Sequence, residues 1–229
     1  MPLRWTSIHD LRNSDAGAET AGNVVITEAS PSQAPPPAPP DAFDTVVGQA
    51  ADLLEAQWPR SSSAAGGGVA GRIQLIKRSK EALPAHFAVL SAADAAAAAA
   101  AGVPPSAPAD GRVVGHCMLR QACEVADGRS AILLSVVVDP SCRRQGIGRF
   151  IVAQAEEEAR RRGFAFLYLS TPDQQRFYER CGFSVTEKIS TVGTASNLLD
   201  QVTGNPRFSL DFLRARATFG RRFTAATSH

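Results

Sequence analysis

Apolar and polar positions recur along this chain with two different periods, and the changes of period predict a series of helices and strands. From 41 to 57 apolar residues return every three or four positions, and Asp41 is placed to cap that helix. Helical spacing returns over 72–80. Runs rich in β-branched or other apolar residues predict strands at 24–27, 86–90, 112–120 and 131–138.

The strand at 131–138 has leucines at 133 and 134 and valines at 136–138. Apolar residues at consecutive positions are typical of a strand covered on both faces, so we expect it at the centre of the sheet. A helix over 146–162 follows and ends at Gly163. Its acidic and basic residues at 156–158 and 160–162 predict a solvated face. Its predicted buried stripe consists of Ile147, Phe150, Ile151, Ala155 and Ala159.

The elements after this helix are shorter. A strand at 164–170 should run parallel to the central strand, because a helix connects the two. A short helix at 172–181 and a strand at 183–188 come next, and the alternation at 208–213 is typical of an edge strand.

Low-complexity segments define the expected domain organisation. Residues 1–22 predict a flexible N-terminal extension with room for one short strand, and 216–229 a frayed basic tail. Between them we expect one domain over 23–215, with a Pro-rich insertion at 30–40 and an Ala/Pro-rich insertion at 91–111. We interpret both insertions as surface segments, and their role stays open.

The composition excludes several classes of function. A formal net charge of +2 over 229 residues is too small to indicate nucleic-acid binding. No apolar run is long enough to span a membrane, and the start of the chain has no signal-peptide core. The four cysteines form no CxxC pair and no zinc-like spacing with histidine, so we expect neither a metal site nor disulfides. We therefore expect a cytoplasmic protein, and a monomer as the working assumption.

The turn RRQGIG at 143–148 carries the first candidate chemistry, because it joins the central strand to the helix. Closely spaced glycines allow backbone N–H groups to approach a ligand, and a helix start attracts anions. This arrangement predicts a cradle for a diphosphate. A sharp corner without a ligand explains the same glycines, so the turn alone does not decide between the two.

The turn resembles the coenzyme signature of the GNAT superfamily of N-acetyltransferases, at Arg143, Gly146 and Gly148. The segment FYERCGF at 177–183 resembles the second signature of that family. The two motifs stand in the family's order within 112–188. The resemblance implies an α/β GNAT fold, with a central mixed, mostly antiparallel β-sheet and helices on both faces, and acetyl-CoA as the donor without a metal.

The resemblance also implies roles for individual residues. Tyr178 is expected to protonate the departing thiolate or to hydrogen-bond it, although a core aromatic is the alternative; a positioned acid typically contributes about 10²–10⁴ in rate. His116 is a candidate for proton transfer, but a lone strand histidine is also commonly structural. An α-amino group has a pKa of about 7.7–8.0, so a water relay also suffices as base. The expected coenzyme contacts are Val136, Val137, Val138, Arg143, Arg144, Gln145, Gly146, Ile147, Gly148 and Arg149.

Other segments are similar to the N-terminal acetyltransferases that act on processed actin. They are QWPRS at 57–61, VGH at 114–116 and TPDQQRFY at 171–178. This resemblance implies that the acceptor is the free amino group of an acidic protein N-terminus, actin in the first place. Whether a profilin-like protein presents it stays open. The comparison enzymes carry Glu where this chain has Leu134, so a base role at that position does not transfer.

Arginine clasps carboxylates, so Arg60 and Arg72 are predicted to bind the acidic acceptor, with Trp58 and Ser170 as further contacts. Ordinary exposed arginines and simple core packing of Trp58 are the alternatives. Two other functions also fit the motifs: acetylation of a small amine or a lysine side chain, and a non-catalytic acyl-CoA-binding module. The sequence leaves the acceptor, the general base and the oligomeric state open.

Overall fold

The computed structural model describes residues 3–16, 42–59, 67–91, 111–122, 127–186 and 217–223. The strands in these segments are β1 Leu3–Ser7, β2 Ala85–Ser91, β3 Arg112–Gln121, β4 Ser130–Val138, β5 Phe166–Thr171, β6 Ser184–Val185 and β7 Ala217–Arg222. The helices are α1 Ile8–Ala16, α2 Ala42–Gln57, α3 Gly68–Lys77, α4 Ile147–Arg161 and α5 Gln175–Arg180.

In the part of the chain that the structure describes, the strands form one sheet in the order β1-β2-β3-β4-β5-β7-β6. Strand β4 lies at its centre, as predicted. The neighbouring strands there are antiparallel, except for β4 and β5, which are parallel and are connected through α4. The predicted mixed, mostly antiparallel sheet is therefore confirmed.

Helices cover both faces of the sheet, because successive side chains of a strand point to opposite faces. On β2, Phe87 and Val89 pack into the core that contains α4. Ala88 and Leu90 pack into the other core, under α1, α2 and α3. The predicted apolar stripe of α2 is buried there: Phe43, Val46, Val47, Ala50, Ala51, Leu53 and Leu54.

Residues 3–16 form β1, the one short strand for which the predicted flexible extension left room, and α1, which was not predicted. Strand β1 pairs with β2, and Trp5 stacks on Phe87 with ring centroids 4.8 Å apart. The following α1 places Ile8 in the core with no exposed surface. The polar composition of α1 hid this role, since two apolar side chains, Ile8 and Leu11, connect the helix to the core.

The predicted frayed tail was wrong for residues 217–222, which form β7 between β5 and β6. Phe219 is fully buried there, and Arg221 bonds to the buried Glu156 carboxylate. This part of the basic segment therefore has partners inside the fold. The strands predicted at 24–27 and 208–213 lie outside the described residues, as do the Pro-rich insertion and residues 92–110 of the second insertion.

Helix α4 buries most of its predicted stripe, with two differences. Phe150 is half-buried and Val152 is buried. Glu156, expected in solvent, is 5% exposed, because Arg221 reaches it from β7 and Arg160 from the next helical turn. No helix in the described segments is long and apolar enough to cross a membrane.

Candidate active site

The two parallel strands separate at their carboxyl ends. The β4–β5 ladder contains three pairs, from Ser130 with Phe166 to Ile132 with Tyr168. Beyond them β4 continues along β3 and β5 continues along β7, without a further β4–β5 pair in the described segments. A gap therefore opens at the carboxyl end of this parallel pair, the edge where ligands commonly bind in α/β sheets.

A β-bulge lies on the β4 side of the gap. Between the pairs His116–Val137 and Met118–Leu134, strand β3 has one residue and strand β4 has two, Ser135 and Val136. Ser135 has a φ of 53°, in the left-handed region that residues other than glycine rarely adopt. The bulge reorients the backbone of the strand just before residues 136–138, the predicted contacts for the coenzyme's acetyl end.

The start of α4 has the backbone geometry of an anion site. Gly146 is the N-cap at a φ of 85°, without a side-chain cap, and Arg144 also has a positive φ of 63°. Both residues are exposed. The N–H groups of the first helical turn have no intrahelical acceptor, so they can bind a diphosphate here.

Gly148 lets α5 approach this helix start. A Cβ atom on Gly148 would lie 3.2 Å from the ring of Phe177, which is tighter than about nine in ten real Cβ contacts. Helix α5 starts after β5, where the Thr171 hydroxyl accepts a bond from the Gln174 N–H at 3.0 Å. Arg221 donates to the Cys181 carbonyl just after α5. Both ends of α5 are thus fixed beside the start of α4.

Tyr178 lies on α5 and is 8% exposed. Its ring lies edge-on to Phe177 and Phe183, with centroid distances of 4.9 and 6.1 Å. The aromatic contacts hold the tyrosine in one orientation on the helix that borders the gap.

The side chain of Arg143 connects the end of β4 to the end of α2. Its Nε donates to the Val138 carbonyl at 3.1 Å, and its Nη2 donates to the Gln57 side chain at the end of α2. Arg143 therefore connects the predicted coenzyme side to the predicted acceptor side. Arg149, in the first turn of α4, is exposed.

His116 is fully buried and has a partner that the sequence did not indicate. Its Nε2 lies 3.1 Å from Nδ1 of the buried His86, and its Nδ1 lies 3.4 Å from the Ser135 carbonyl. Burial lowers the pKa of His116 to about 3; the nearby His86 and Arg72 lower it too, whereas the Ser135 bond raises it. Its burial and low pKa favour a structural role over that of a base at neutral pH.

Arg72 has partners within the chain. Its Nε donates to Glu55 at 2.7 Å and its Nη2 donates to the Trp58 carbonyl. The predicted role of Arg72 as a free clasp for acidic substrates is therefore not supported, because α2 supplies its carboxylate. Trp58 is 37% exposed at the end of α2, and Arg60 lies outside the described residues. Ser170 is half-buried on β5, opposite Thr218 of β7.

The structure thus brings the bulged strand, the glycine turn and the tyrosine helix to one edge of the sheet. His116 lies on β3 and is bonded to the Ser135 carbonyl of the bulge, and Arg72 is paired with Glu55 on α2. The sequence did not reveal His86 or Glu156 as partners, because their contacts depend on strand register and on β7. Within the described residues no group of His, Cys, Asp or Glu side chains could hold a metal ion.

Known proteins are similar to parts of this chain. Residues 73–183 match the family model described as the acetyltransferase (GNAT) family. The N-alpha-acetyltransferase 80 of Mus musculus is 33% identical over 139 residues, which are 61% of this chain and 38% of that protein. Acetyltransferase Atu2258 of Agrobacterium fabrum is 45% identical over 62 residues, 26% of this chain and 43% of that protein. The matches span about two fifths of the length of these relatives.

Solved structures with a similar chain path include Rv2747 from Mycobacterium tuberculosis in complex with CoA and NLQ. It is 16% identical, with a TM-score of 0.47, and the match covers 79% of this chain and 96% of that one. An acetyltransferase from Streptococcus agalactiae is 15% identical with a TM-score of 0.48, over 78% of this chain and 92% of that one. The family match over 73–183 contains both motifs, so this region of the chain belongs to the GNAT acetyltransferases.

Proposed function

We propose that this protein transfers the acetyl group of acetyl-CoA to the free amino group of an acidic protein N-terminus. The observation that carries the proposal is the gap between β4 and β5, bordered by the start of α4 and by the helix that carries Tyr178. The acceptor class comes from the similarity to an N-alpha-acetyltransferase and from the segments shared with actin-directed enzymes. Processed actin is the first candidate substrate.

The residues present fit acetyl-CoA as donor. The turn at 144–149, in which Arg144 and Gly146 are exposed and have positive φ, suits a diphosphate. Backbone groups of Val136, Val137 and Val138 would orient the pantetheine and the acetyl carbonyl where β4 leaves β5. When bound, acetyl-CoA supplies the thioester that the acceptor amine attacks.

In the proposed reaction the neutral amine forms a C–N bond to the acetyl carbon as the C–S bond breaks. Tyr178 gives its phenolic proton to the leaving sulfur or hydrogen-bonds it. His116 is a poor base because burial lowers its pKa to about 3. The ammonium form therefore loses a proton to water before the attack, which its pKa of about 7.7–8.0 permits. The proton that the nitrogen releases as the amide forms also goes to water, and water restores the Tyr178 phenol if it has protonated the sulfur.

The acceptor would lie near the end of α2. Arg72 holds the Trp58 carbonyl and so fixes the backbone at the start of the 58–67 connection, where Trp58 is partly exposed. Arg60 and Arg72 were both predicted to bind the acidic acceptor. Because Arg72 is paired with Glu55, we assign the contact with the acidic residues of the acceptor to Arg60. A cytoplasmic location, and presentation of actin by a profilin-like protein, are parts of the same proposal.

Peptide acetylation followed by mass spectrometry tests the acceptor class. A peptide beginning DDDE should be acetylated faster than peptides with neutral or basic starts. An N-terminally blocked peptide with an internal lysine separates the lysine alternative from the proposal. Preference for the neutral or basic peptide, or modification of the blocked one alone, would contradict an acidic Nα acceptor.

Tyr178→Phe tests the chemistry. We expect kcat to fall about 10²–10⁴-fold, the usual contribution of a positioned acid, with acetyl-CoA binding retained in calorimetry. Tyr168→Phe is the matched control, because Tyr168 is the chain's other tyrosine and lies on β5 instead of α5. Equal rates for the two variants would remove Tyr178 from the mechanism.

A further inference from the structure

Two buried histidines form a hydrogen-bonded chain that ends on the backbone of the β4 bulge. His86 is 3% exposed and His116 is 0% exposed. The bonded atoms are His86 Nδ1 with His116 Nε2, at 3.1 Å, and His116 Nδ1 with the Ser135 carbonyl oxygen, at 3.4 Å. The chain therefore crosses from β2 through β3 to β4.

The partners determine which nitrogen of each ring carries hydrogen. A carbonyl oxygen only accepts, so His116 must donate from Nδ1, which leaves its Nε2 as an acceptor in the neutral ring. His86 must then donate from its own Nδ1. Burial lowers the pKa of His86 to about 4 and that of His116 to about 3, so both rings are neutral near pH 7. The two hydrogen bonds are therefore donated in one direction, from His86 to His116 and from His116 to the Ser135 carbonyl.

Although Ser135 is exposed, His116 gives its carbonyl a donor that is fixed within the fold. At a bulge the extra residue loses its place in the ladder, and a fixed partner of this kind holds its backbone in one orientation. Ser135 also has a φ of 53°, a conformation that costs free energy and persists where its surroundings fix it. His116 supplies a donor from the adjacent strand, at the point where β4 changes direction.

We propose that His116 is a positioning residue that holds the β4 bulge through the Ser135 carbonyl, and that His86 sets the tautomer His116 needs. The bulge immediately precedes Val136, Val137 and Val138, so its geometry determines where those backbone groups point into the gap between β4 and β5. This inference rests on the proposed function, because those groups orient the donor only if acetyl-CoA binds there.

Two substitutions of His116 separate the positioning bond from the packing of the ring. In His116→Asn the side-chain amide reaches the position of Nδ1 and can still donate to Ser135. In His116→Gln the amide reaches the position of Nε2 instead. We expect His116→Gln to raise the KM for acetyl-CoA roughly tenfold, as for one lost buried hydrogen bond, with little change in the acceptor KM. His116→Asn should stay within about threefold of the wild type on both.

Equal losses in the two variants, or a normal acetyl-CoA KM in His116→Gln, would overturn the proposal. Nitrogen-15 NMR of the imidazoles in the wild-type protein gives a readout that needs neither activity nor a folded variant. It should show His116 and His86 as neutral rings with hydrogen on Nδ1. Hydrogen on Nε2 of His116, or a charged ring at pH 7, would overturn the positioning role even if the enzyme acetylates acidic peptides. Correct tautomers without acetyl-CoA binding in calorimetry would instead overturn the proposed function and, with it, the part of this inference that depends on the donor.

Discussion

Two buried polar clusters flank the gap, and each ends on a backbone carbonyl. On the β2–β3 side the histidine pair donates to the Ser135 carbonyl of the β4 bulge. On the β7 side Arg221 donates to the Cys181 carbonyl after α5 and to Glu156 on α4. The first cluster supports the strand predicted to hold the acetyl end, and the second supports the helix of the catalytic tyrosine candidate.

The clusters differ in charge because they differ in access to water. Each histidine is at most 3% exposed, and burial keeps both neutral. The side chain of Glu156 is 7% exposed, but those of its partners Arg221 and Arg160 are 34% and 39% exposed, so their charges remain hydrated in part. The stability of the neutral histidine cluster depends on its tautomers and on pH. The stability of the charged cluster depends on the presence of a partner for the buried Glu156 carboxylate.

Removal of Arg221 should have the largest effect on stability. Arg221→Met leaves the buried Glu156 carboxylate with Arg160 alone, 3.4 Å away, and removes the donor to Cys181. Removing one partner of a buried pair costs about 3–5 kcal/mol, and the remaining arginine limits the loss to about 3 kcal/mol. Urea unfolding at pH 7 measures it.

Arg160→Met is the matched control, because it removes the second arginine from the same carboxylate. That contact is longer and more exposed, so the expected loss is about 0.5 kcal/mol. Similar losses of stability in the two variants would mean that Arg221 and Arg160 stabilise the Glu156 carboxylate equally. The assignment of Arg221 as its main partner would then be wrong.

The sequence predicted best the parts of the site whose geometry is local. Strand β4, the glycine turn and α4 follow one another, so their periodicity and turn chemistry gave both the elements and the anion site at their junction. The bulge at Ser135 was not predictable, because it appears only when β4 is aligned with β3. Ser135 is the one polar residue of the run 131–138, but a single serine in an apolar run does not by itself indicate a bulge.

Both buried clusters depend on contacts between distant parts of the chain. His86 meets His116 because β2 and β3 pair in one register, and 30 residues separate them. Glu156 is buried because β7 returns 65 residues later with Arg221. On the acceptor side, the pairing of Arg72 with Glu55 depends on the packing of α3 against α2 and could not be predicted from the sequence. Composition and periodicity contain none of these pairings.

The pH dependence of stability tests the neutral cluster. The folded pKa of His86, about 4, lies below its usual value of 6.5, so the unfolded chain takes up a proton that the folded chain refuses. Stability is therefore lost as pH falls from 6.5 towards 4. The cause is burial, which disfavours the charged form of the His86 ring.

His86→Asn keeps a donor near the position of Nδ1 but removes the titrating ring. Between pH 7 and pH 5 the wild type should lose about 2 kcal/mol more than this variant, the contribution of one histidine with that change of pKa. Unfolding curves at half-unit pH steps give the two slopes. Parallel slopes would show that His86 titrates normally in the folded protein and would remove the distinction between the clusters.

Glu156→Gln should cost less stability than Arg221→Met, and its pH dependence should be opposite in sign to that of His86. Burial raises the pKa of Glu156, although Arg221 and Arg160 act to lower it, so the carboxylate is costly to keep charged. The amide removes that cost, and the partly exposed arginines it leaves behind stay hydrated, so we expect a loss below about 1 kcal/mol at pH 7. Because the folded pKa is raised, the wild type should lose stability relative to Glu156→Gln as pH rises from 4.5 through that value.

Unfolding of both proteins from pH 4 to 7 measures the difference. A loss as large as that of Arg221→Met would mean that the cluster depends on the net attraction of the ion pair, and not on the need of one buried carboxylate for a partner.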